Sequence, residues 1–316
     1  MAVYTTLAAH ELAALIAHYD VGTLVSAKGI AEGVSNSNWL IETSEARFIL
    51  TMYEQRMDVA ELPFFLGLLD HLAAEGSPVP RTIHDRDGAA FRMIAGKAVA
   101  LIEFLPGVSV DRPTPAQARA VGAALAGLHR HSAEFAGDRA NSLSLPQWRE
   151  LFDSCGADGL ASIDAGLPAI VAEELAFLQA NWPHHLPRSV IHADLFPDNV
   201  LLLGDRVSGL IDFYFACRDL TAYDLAVTHS AWCFDGDGAF RADISAALLA
   251  GYGPLSADES AALPVLARGA AMRFMATRAY DWLNTPADAL VTRKDPMDFA
   301  RRLAFYRQAG AEAFAA

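Results

Sequence analysis

The amino-acid sequence predicts an α+β protein in two lobes, a small N-terminal lobe built on an antiparallel sheet and a larger, mainly helical C-terminal lobe. In the first hundred residues, short runs rich in β-branched and aromatic residues alternate with polar turns. Beyond Pro106-Gly107, apolar residues recur mostly at helical spacings of three and four. We therefore assign residues 1–102 to the N-terminal lobe, 103–108 to a connector and 109–316 to the C-terminal lobe.

The N-terminal lobe is predicted to begin with an amphipathic helix that ends before Gly22. Two strand-like runs follow, separated by the short polar turn Ser44-Glu45, which suits a hairpin. A leucine-rich helical period then stops at Gly76. The strands are predicted at 37–43, at 47–53 and within 90–104, and the second helix over 62–73.

The C-terminal lobe is predicted to be helical apart from residues 189–213. This segment has apolar, strand-like runs around a polar centre. It ends in a predicted hairpin, with strands at 200–203 and 207–211 joined by the turn Gly204-Asp205.

Composition excludes several functional classes. The chain of 316 residues carries 38 acidic and 24 basic residues, a net charge of −14, which disfavours general nucleic-acid binding. Its three cysteines form no Cys-x-x-Cys pair, so neither a disulfide framework nor a cysteine zinc site is expected. The longest run free of charged residues, 244–257, is too short to span a bilayer. We expect a cytoplasmic protein without nucleic-acid or membrane partners, either a monomer or a weak homodimer.

The most informative stretch is a polar cluster between two apolar runs, from His192 to Asn199. Thirteen residues beyond Asn199, a second apolar run ends in Asp212. A hairpin after Asn199 would return beside its own start, which brings Asp194, Asn199 and Asp212 to one mouth. Two carboxylates and an amide oxygen make a hard-oxygen site that suits Mg²⁺.

The spacing His-x-Asp-x-x-x-x-Asn, followed by an apolar strand and Asp-Phe, resembles the loops of the protein-kinase-like small-molecule phosphotransferases. That family includes aminoglycoside, choline and homoserine kinases. The resemblance implies a two-lobed protein-kinase-like fold, with ATP and Mg²⁺ as cofactors. It implies that Asp194 accepts the proton of the substrate hydroxyl, and that Asn199 and Asp212 hold the metal that bridges the ATP phosphates. We expect Asp224 to anchor this loop from the next helix. The other interpretation of the cluster is a polar turn that caps a buried hairpin.

The same resemblance implies nucleotide-binding residues in the N-terminal lobe. The segment 28–38, rich in Gly, Ser and Asn, stands where these kinases place the loop that covers the ATP phosphates. Glu61 matches a helix glutamate of the family, although an acid at a helix N-terminus is also favourable by itself. Glu103-Phe104-Leu105 matches the connector whose backbone binds adenine. The implied nucleotide-binding residues are Gly33, Ser35, Asn36, Thr51, Glu61, Glu103, Phe104 and Leu105.

Position 51 departs from the family pattern. The family places a phosphate-binding lysine there, and this chain has Thr51. The three lysines of the chain are Lys28, Lys97 and Lys294, and none lies on the same predicted strand. Another cation such as Lys28 or an arginine, or the metal together with loop amides, would then balance the phosphate charge. A nucleotide-binding pseudokinase is the other interpretation of this loss.

Longer blocks are similar to the kinase-fold homoserine kinases, over residues from about 29 to 305. The similar blocks are 48–54, 61–65, 192–200, 209–217, 223–226 and 273–286. The similarity implies phosphorylation of the side-chain hydroxyl of L-homoserine to O-phospho-L-homoserine in threonine biosynthesis. It also implies that Thr51 is usual in this branch.

Homoserine carries a carboxylate and an ammonium, so its pocket needs a cation and an acidic partner. The candidates are Asp198 and Tyr214, beside the polar cluster, with Arg273 and Asp281 in the late helical segment. Arg273 could instead form an ion pair outside the pocket. Choline, hydroxylysine or an aminoglycoside remains an alternative acceptor.

Overall fold

The computed structural model describes residues 7–30, 36–54, 58–285 and 293–315. By internal packing the chain divides into two compact units, Met1–Pro106 and Gly107–Ala316, a division that falls within the segment 103–108. The first unit contains an antiparallel sheet and the second is mainly helical, which confirms the predicted α+β fold class.

The sheet of the first unit pairs its described strands in the order β1-β2-β3-β6-β4, with β5 also paired to β6. All of these pairings are antiparallel. The elements are α1 (Ala9–Ile16), β1 (Leu24–Ile30), β2 (Asn36–Thr43), β3 (Arg47–Tyr53), α2 (Leu62–Ala74), β4 (Thr82–Ile83), β5 (Arg92–Ile94) and β6 (Lys97–Glu103).

Strand β1 corrects one expectation, because Lys28–Ile30 belongs to a strand and not to the loop predicted over 28–38. Its small and polar residues have weak β propensity, and most of them are exposed. Backbone pairing with β2, from Leu24↔Thr43 to Ile30↔Asn38, fixes the strand instead.

One face of this sheet packs on α1. The helical spacing of Leu12, Leu15 and Ile16 buries them against sheet residues such as Leu50 and Met52. Each such side chain contributes about 1.5–3 kcal/mol when it is removed from water.

The second unit is organised around long helices and two small pairs of strands. β7 pairs with β10, and β8 with β9 in the predicted hairpin. The elements are α3 (Pro115–His131), α4 (Leu145–Ile163), α5 (Leu167–Asn181), β7 (Arg188–Ile191), β8 (Val200–Leu203), β9 (Arg206–Leu210), β10 (Cys217–Leu220), α6 (Thr221–Trp232), α7 (Ala242–Tyr252), α8 (Ala257–Asn284) and α9 (Met297–Ala309).

Helix α6 lies at the centre of this unit, and all twelve of its residues are buried. A helix that is buried on every side can carry polar residues only if neighbouring elements satisfy them. Helices α3 and α7 pack in close contact, since a Cβ at Gly122 would lie 2.1 Å from the carbonyl oxygen of Leu248. Within the described part of the chain, no helix is long and apolar enough to cross a membrane.

Candidate active site

The polar cluster begins where β7 ends, at Ile191, with a sharp backbone turn. Ala193 has a φ of +64°, a left-handed conformation that is costly for a residue with a Cβ. Such a turn persists only where its surroundings hold it. Asp212, at the far end of the hairpin, has a similar φ of +66°.

Asp224 of α6 holds the turn after β7, as expected. Its fully buried carboxylate accepts hydrogen bonds from the backbone N–H groups of His192 and Ala193, both at 2.8 Å. It also accepts a hydrogen bond from Nε2 of His129 on α3 at 3.0 Å. The other ring nitrogen, Nδ1, lies 2.9 Å from the hydroxyl of Tyr252. Burial alone would raise the pKa of Asp224, but the contacts with His129 and His192 outweigh it and lower the pKa. The loop is therefore anchored to an ionised carboxylate.

His192 links the two ends of the cluster. Its Nε2 donates to the carbonyl oxygen of Ile211 at 3.0 Å, and its Nδ1 accepts the N–H of Asp194 at 3.2 Å. The ring packs on Phe213, with the centroids 4.6 Å apart. Burial lowers the pKa of His192, which keeps the ring neutral and suited to one donor and one acceptor contact.

The hairpin brings Asn199 and the end of β9 together. Nδ2 of Asn199 donates to the carbonyl oxygen of Asp194 at 2.8 Å and lies 3.4 Å from its Oδ2. The backbone N–H of Ile211 donates to the carbonyl oxygen of Asn199 at 3.0 Å. Asp212, which follows Ile211, therefore stands beside the segment that carries Asp194 and Asn199. This is the convergence that the hairpin predicts.

Negative charge is concentrated at this point. Burial raises the pKa of Asp194, against the opposing charge of Arg273, and Asp198 raises it further. Loss of solvation, followed by the charges of Asp194 and Asp198, raises the pKa of Asp212 to about 7. Although neighbouring groups reduce its solvation, Asp212 is exposed at the surface, so a ligand can reach it.

The donor set fits a hard divalent cation. Because Nδ2 of Asn199 is engaged with Asp194, its amide oxygen is the free end of the side chain. That oxygen and the carboxylate of Asp212 are the ligand types that Mg²⁺ prefers. Across the described residues, no group of three or more His, Cys, Asp or Glu side chains forms a metal cage. A two-residue oxygen set suits an ion that keeps several waters and binds substrate phosphates.

Arg273 of α8 lies beneath the loop and is only 2% exposed. Its guanidinium donates to the carbonyl oxygen of Ala193, and Nη2 lies 3.9 Å from Oδ1 of Asp194. It packs on the rings of Phe274 and Phe215, 4.6 and 5.2 Å from the centroids. Arg273 thus supports the loop from its buried side.

The other candidate substrate residues are more open. Asp198 is exposed in the 3₁₀ turn between Asp194 and Asn199, and its Oδ2 lies 4.0 Å from Nζ of Lys294. Tyr214 is half-buried in the 3₁₀ turn that follows Asp212, and Asp281 is exposed on α8. Sequence reasoning missed Lys294, which belongs to no motif.

In the first unit, Thr51 is buried in the middle of the sheet. Its hydroxyl donates to Oδ1 of Asn38 on β2 at 2.9 Å. Asn36, also buried, begins β2, whereas the predicted loop residues Gly33 and Ser35 lie outside the described residues. Thr51 therefore takes part in a neutral hydrogen bond at the position where the resemblance predicts a lysine.

The remaining candidates of the first unit lie at the ends of elements. Glu61 is half-buried at the end of the 3₁₀ turn that precedes α2. Glu103, the last residue of β6, pairs with Arg81 at 3.1 Å. Phe104 lies under the guanidinium of Arg47 at 4.5 Å, and Leu105 is half-buried.

The sheet register separates the two lysines of the first unit. Lys28 stands opposite Leu40, which stands opposite Ile49, so its side chain leaves the same face as Thr51. Lys97 of β6 pairs with Glu54, which directly follows β3. Lys97 is two residues from Val99, and Val99 stands opposite Met52, so the side chain of Lys97 leaves the face opposite to that of Thr51.

Known proteins are similar in sequence to this chain over most of its length. Residues 26–257 match the phosphotransferase enzyme family. A homoserine kinase of Azorhizobium caulinodans is 54% identical over 97% of this chain and 96% of its own. A homoserine kinase of Brucella canis is 52% identical over 98% of this chain and 95% of its own.

Solved structures show the fold. A spectinomycin phosphotransferase in complex with ADP and spectinomycin matches with a TM-score of 0.75 at 16% identity, over 98% of this chain and all of that one. A microcompartment-associated aminopropanol kinase matches with a TM-score of 0.66 at 20% identity, over 96% of this chain and 98% of that one. These matches confirm the predicted protein-kinase-like fold.

Proposed function

The chain belongs to the phosphotransferase enzyme family, and on this premise we propose that it transfers the γ-phosphoryl group of ATP to the side-chain hydroxyl of L-homoserine. The products would be ADP and O-phospho-L-homoserine, an intermediate of threonine biosynthesis. The convergence of Asp194, Asn199 and Asp212 supports the reaction. The 52–54% identity to homoserine kinases over nearly the whole chain supports the acceptor.

In the proposed reaction, the bond between the γ-phosphorus and the β,γ-bridging oxygen breaks while the hydroxyl oxygen of homoserine bonds to the phosphorus. The hydroxyl proton passes to the carboxylate of Asp194. The backbone N–H groups of His192 and Ala193 donate hydrogen bonds to Asp224 and so hold the loop, which orients Asp194 before the substrate arrives. Its raised pKa makes it a stronger base than an ordinary aspartate.

We propose that Asn199 and Asp212 hold Mg²⁺. An ion held there would neutralise the negative charge of the ATP phosphates. Asn199 is fixed by its bond to Asp194, which keeps its amide oxygen turned away from that residue. Asp212 is placed by the hairpin and by the left-handed backbone at the end of β9.

In the N-terminal unit, we propose that Lys28 takes over part of the charge balance that a lysine at position 51 would provide. It lies on the Thr51 face of the sheet and is exposed, whereas Lys97 is engaged by Glu54 on the other face. The nucleotide-binding role of the other candidates, Gly33, Ser35, Asn36, Glu61 and Glu103–Leu105, is part of the same proposal.

The alternatives are less well supported. Several homoserine kinases are more than half identical to this chain, which favours homoserine over choline, hydroxylysine or an aminoglycoside. A pseudokinase is suggested by Thr51 alone, while the polar set around Asp194 is complete.

An acceptor panel tests the proposal. ADP release with Mg-ATP is measured against L-homoserine, choline, hydroxylysine and kanamycin, and the product is identified by mass spectrometry. We expect homoserine-dependent ADP release, a phosphate monoester of homoserine, and no product when Mg²⁺ is chelated. If only another acceptor were phosphorylated, that compound would replace homoserine as the assigned acceptor. ATP binding without turnover of any acceptor would establish the pseudokinase.

A further inference from the structure

Two side chains of opposite charge face each other beside Asp194. Asp198 lies in the 3₁₀ turn Pro197–Asn199, and Lys294 lies shortly before α9. Nζ of Lys294 is 4.0 Å from Oδ2 of Asp198, and the two side chains are 65% and 66% exposed. The ring of Phe196 lies 6.0 Å from the same Nζ and forms an apolar surface next to the pair.

This pair contributes little to stability. Exposed ion pairs with long contacts are worth about 0–1 kcal/mol, because water solvates both partners well. The two charged groups can therefore separate at small cost. Asp198 follows Asp194 by four residues in the same loop, and Lys294 lies 4.0 Å from Asp198, so both charges stand near Asp194.

The proposed acceptor has matching chemistry. L-Homoserine carries an ammonium and a carboxylate on one carbon, which two methylene groups separate from the reacting hydroxyl. If that hydroxyl meets Asp194, the two charged groups lie only a few bond lengths away. A recognition site there needs one anion and one cation, both accessible and adjacent.

We infer that Asp198 and Lys294 form a clamp for the α-amino acid group of the acceptor. Asp198 accepts hydrogen bonds from the ammonium, and Lys294 binds the carboxylate. When the substrate binds, its two charged groups replace the contact between Asp198 and Lys294. The inference rests on the proposed function and names the residues that select an amino acid over a simple amino alcohol.

Two further cations near Asp194, among the residues that the structure describes, are already engaged by the protein. Arg273 is buried and donates to Ala193. Arg278 has a side chain only 13% exposed, and it donates to the carboxylate of Asp298 and the carbonyl oxygen of Asp295, both at 3.0 Å. Lys294 is the cation of this group that is open to a small ligand.

The test compares acceptors that differ by one charged group. 3-Amino-1-propanol is homoserine without its carboxylate, and its KM, or its inhibition constant if turnover is slow, is measured beside the KM for L-homoserine. The variants are Lys294→Met, Lys294→Arg and Asp198→Asn. Arg241→Met is the matched control, because it removes a half-buried cation that stands just before α7 and pairs with Asp243 in the first turn of that helix.

We expect Lys294→Met to raise the KM for homoserine about tenfold to a hundredfold, the range for a charged hydrogen bond, with a small change in kcat. The KM or inhibition constant of Lys294→Met for 3-amino-1-propanol should not change. Lys294→Arg should retain most of the affinity for homoserine. Asp198→Asn should weaken the binding of both compounds, and Arg241→Met should weaken the binding of neither.

An unchanged homoserine KM in Lys294→Met would overturn the clamp, as would an equal loss for both compounds. The wild-type enzyme in the same assay distinguishes a failure of the proposed function from a failure of the clamp. No homoserine turnover by wild type would overturn the proposed function itself. Wild-type turnover with an insensitive Lys294→Met variant would overturn the clamp alone.

Discussion

The polar residues of segment 191–212 and those around Thr51 are held in different ways. In the first region, Asp224 of α6 and Arg273 of α8 bond to backbone groups of His192 and Ala193, and His129 of α3 bonds to Asp224. In the second, Thr51 and Asn38 bond across neighbouring strands of a regular sheet.

The contrast indicates where substitution is tolerated. A strand is held by its backbone ladder, so a threonine can occupy position 51 without loss of the sheet. The left-handed turn at Ala193 depends on buried side chains that are distant in sequence. We therefore expect substitutions beneath the loop to cost more than substitutions on the sheet.

Among substitutions of residues that support the two regions, the largest combined effect on stability and activity is expected for Asp224→Asn. The amide cannot replace a carboxylate that accepts two backbone N–H groups and His129, so buried donors lose their partner. We expect the free energy of unfolding to fall by about 3 kcal/mol and kcat to fall at least about a hundredfold. Urea denaturation and steady-state kinetics measure both. Asp243→Asn, on the exposed start of α7, should change little, and an equal effect of the two substitutions would contradict the account.

Arg273→Met should mainly affect catalysis. The loop loses the donor to the Ala193 carbonyl while the apolar stem of the side chain is kept, so Asp194 loses its fixed position. We expect kcat to fall about a hundredfold, with a much smaller change in the KM for homoserine. A large rise in KM with unchanged kcat would instead make Arg273 a substrate ligand.

The free energy of unfolding should depend on pH in opposite directions through one buried histidine, His229, and one exposed histidine, His84. Burial lowers the pKa of His229 on α6 to about 3. The unfolded chain takes up its proton near pH 6.5, so this group destabilises the fold as pH falls below 6.5, by roughly 1.4 kcal/mol per pH unit. His84 of the first unit has a raised pKa, through its contacts with the Gly88 carbonyl and then Asp70. Its contribution is present below pH 6.5 and is lost as pH rises through the folded pKa.

The measurement is urea denaturation between pH 5 and pH 8. We expect His229→Gln to reduce the loss of stability on acidification and His84→Gln to increase it slightly. A steeper acid loss in His229→Gln would contradict the assigned neutral state of this buried ring.

The smallest effect is expected on the sheet. Lys28→Met should raise the KM for Mg-ATP about tenfold, since one cation on the Thr51 face is lost. Lys97→Met removes the partner of Glu54 on the other face and should leave this KM unchanged. Equal effects of the two substitutions would mean that net charge matters and the face of the sheet does not.

Local patterns account for what the sequence predicted well. The hairpin around Gly204-Asp205 and the helix over 62–73 follow from short-range periodicity and turn residues. Strand β1 was missed because its residues are poor β formers and edge pairing decides its conformation.

The support of the site could be predicted only in part. Asp224 lies close to the motif on the next helix, but His129 reaches Asp224 across 95 residues and Arg273 reaches Ala193 across 80. Lys294 has no motif around it, and its place beside Asp198 depends on how the C-terminal helices pack. Contacts of this range follow from tertiary structure, which periodicity does not encode.

The most direct test of the central claim is the rate of O-phospho-L-homoserine formation by wild type and Asp194→Asn at saturating Mg-ATP and homoserine. The affinity for ATP is measured in parallel as a control for folding. We predict a loss of at least about 10³-fold in kcat, with ATP affinity within about threefold of wild type. An Asp194→Asn enzyme that forms the product within tenfold of the wild-type rate would contradict the assignment of this loop as the catalytic centre.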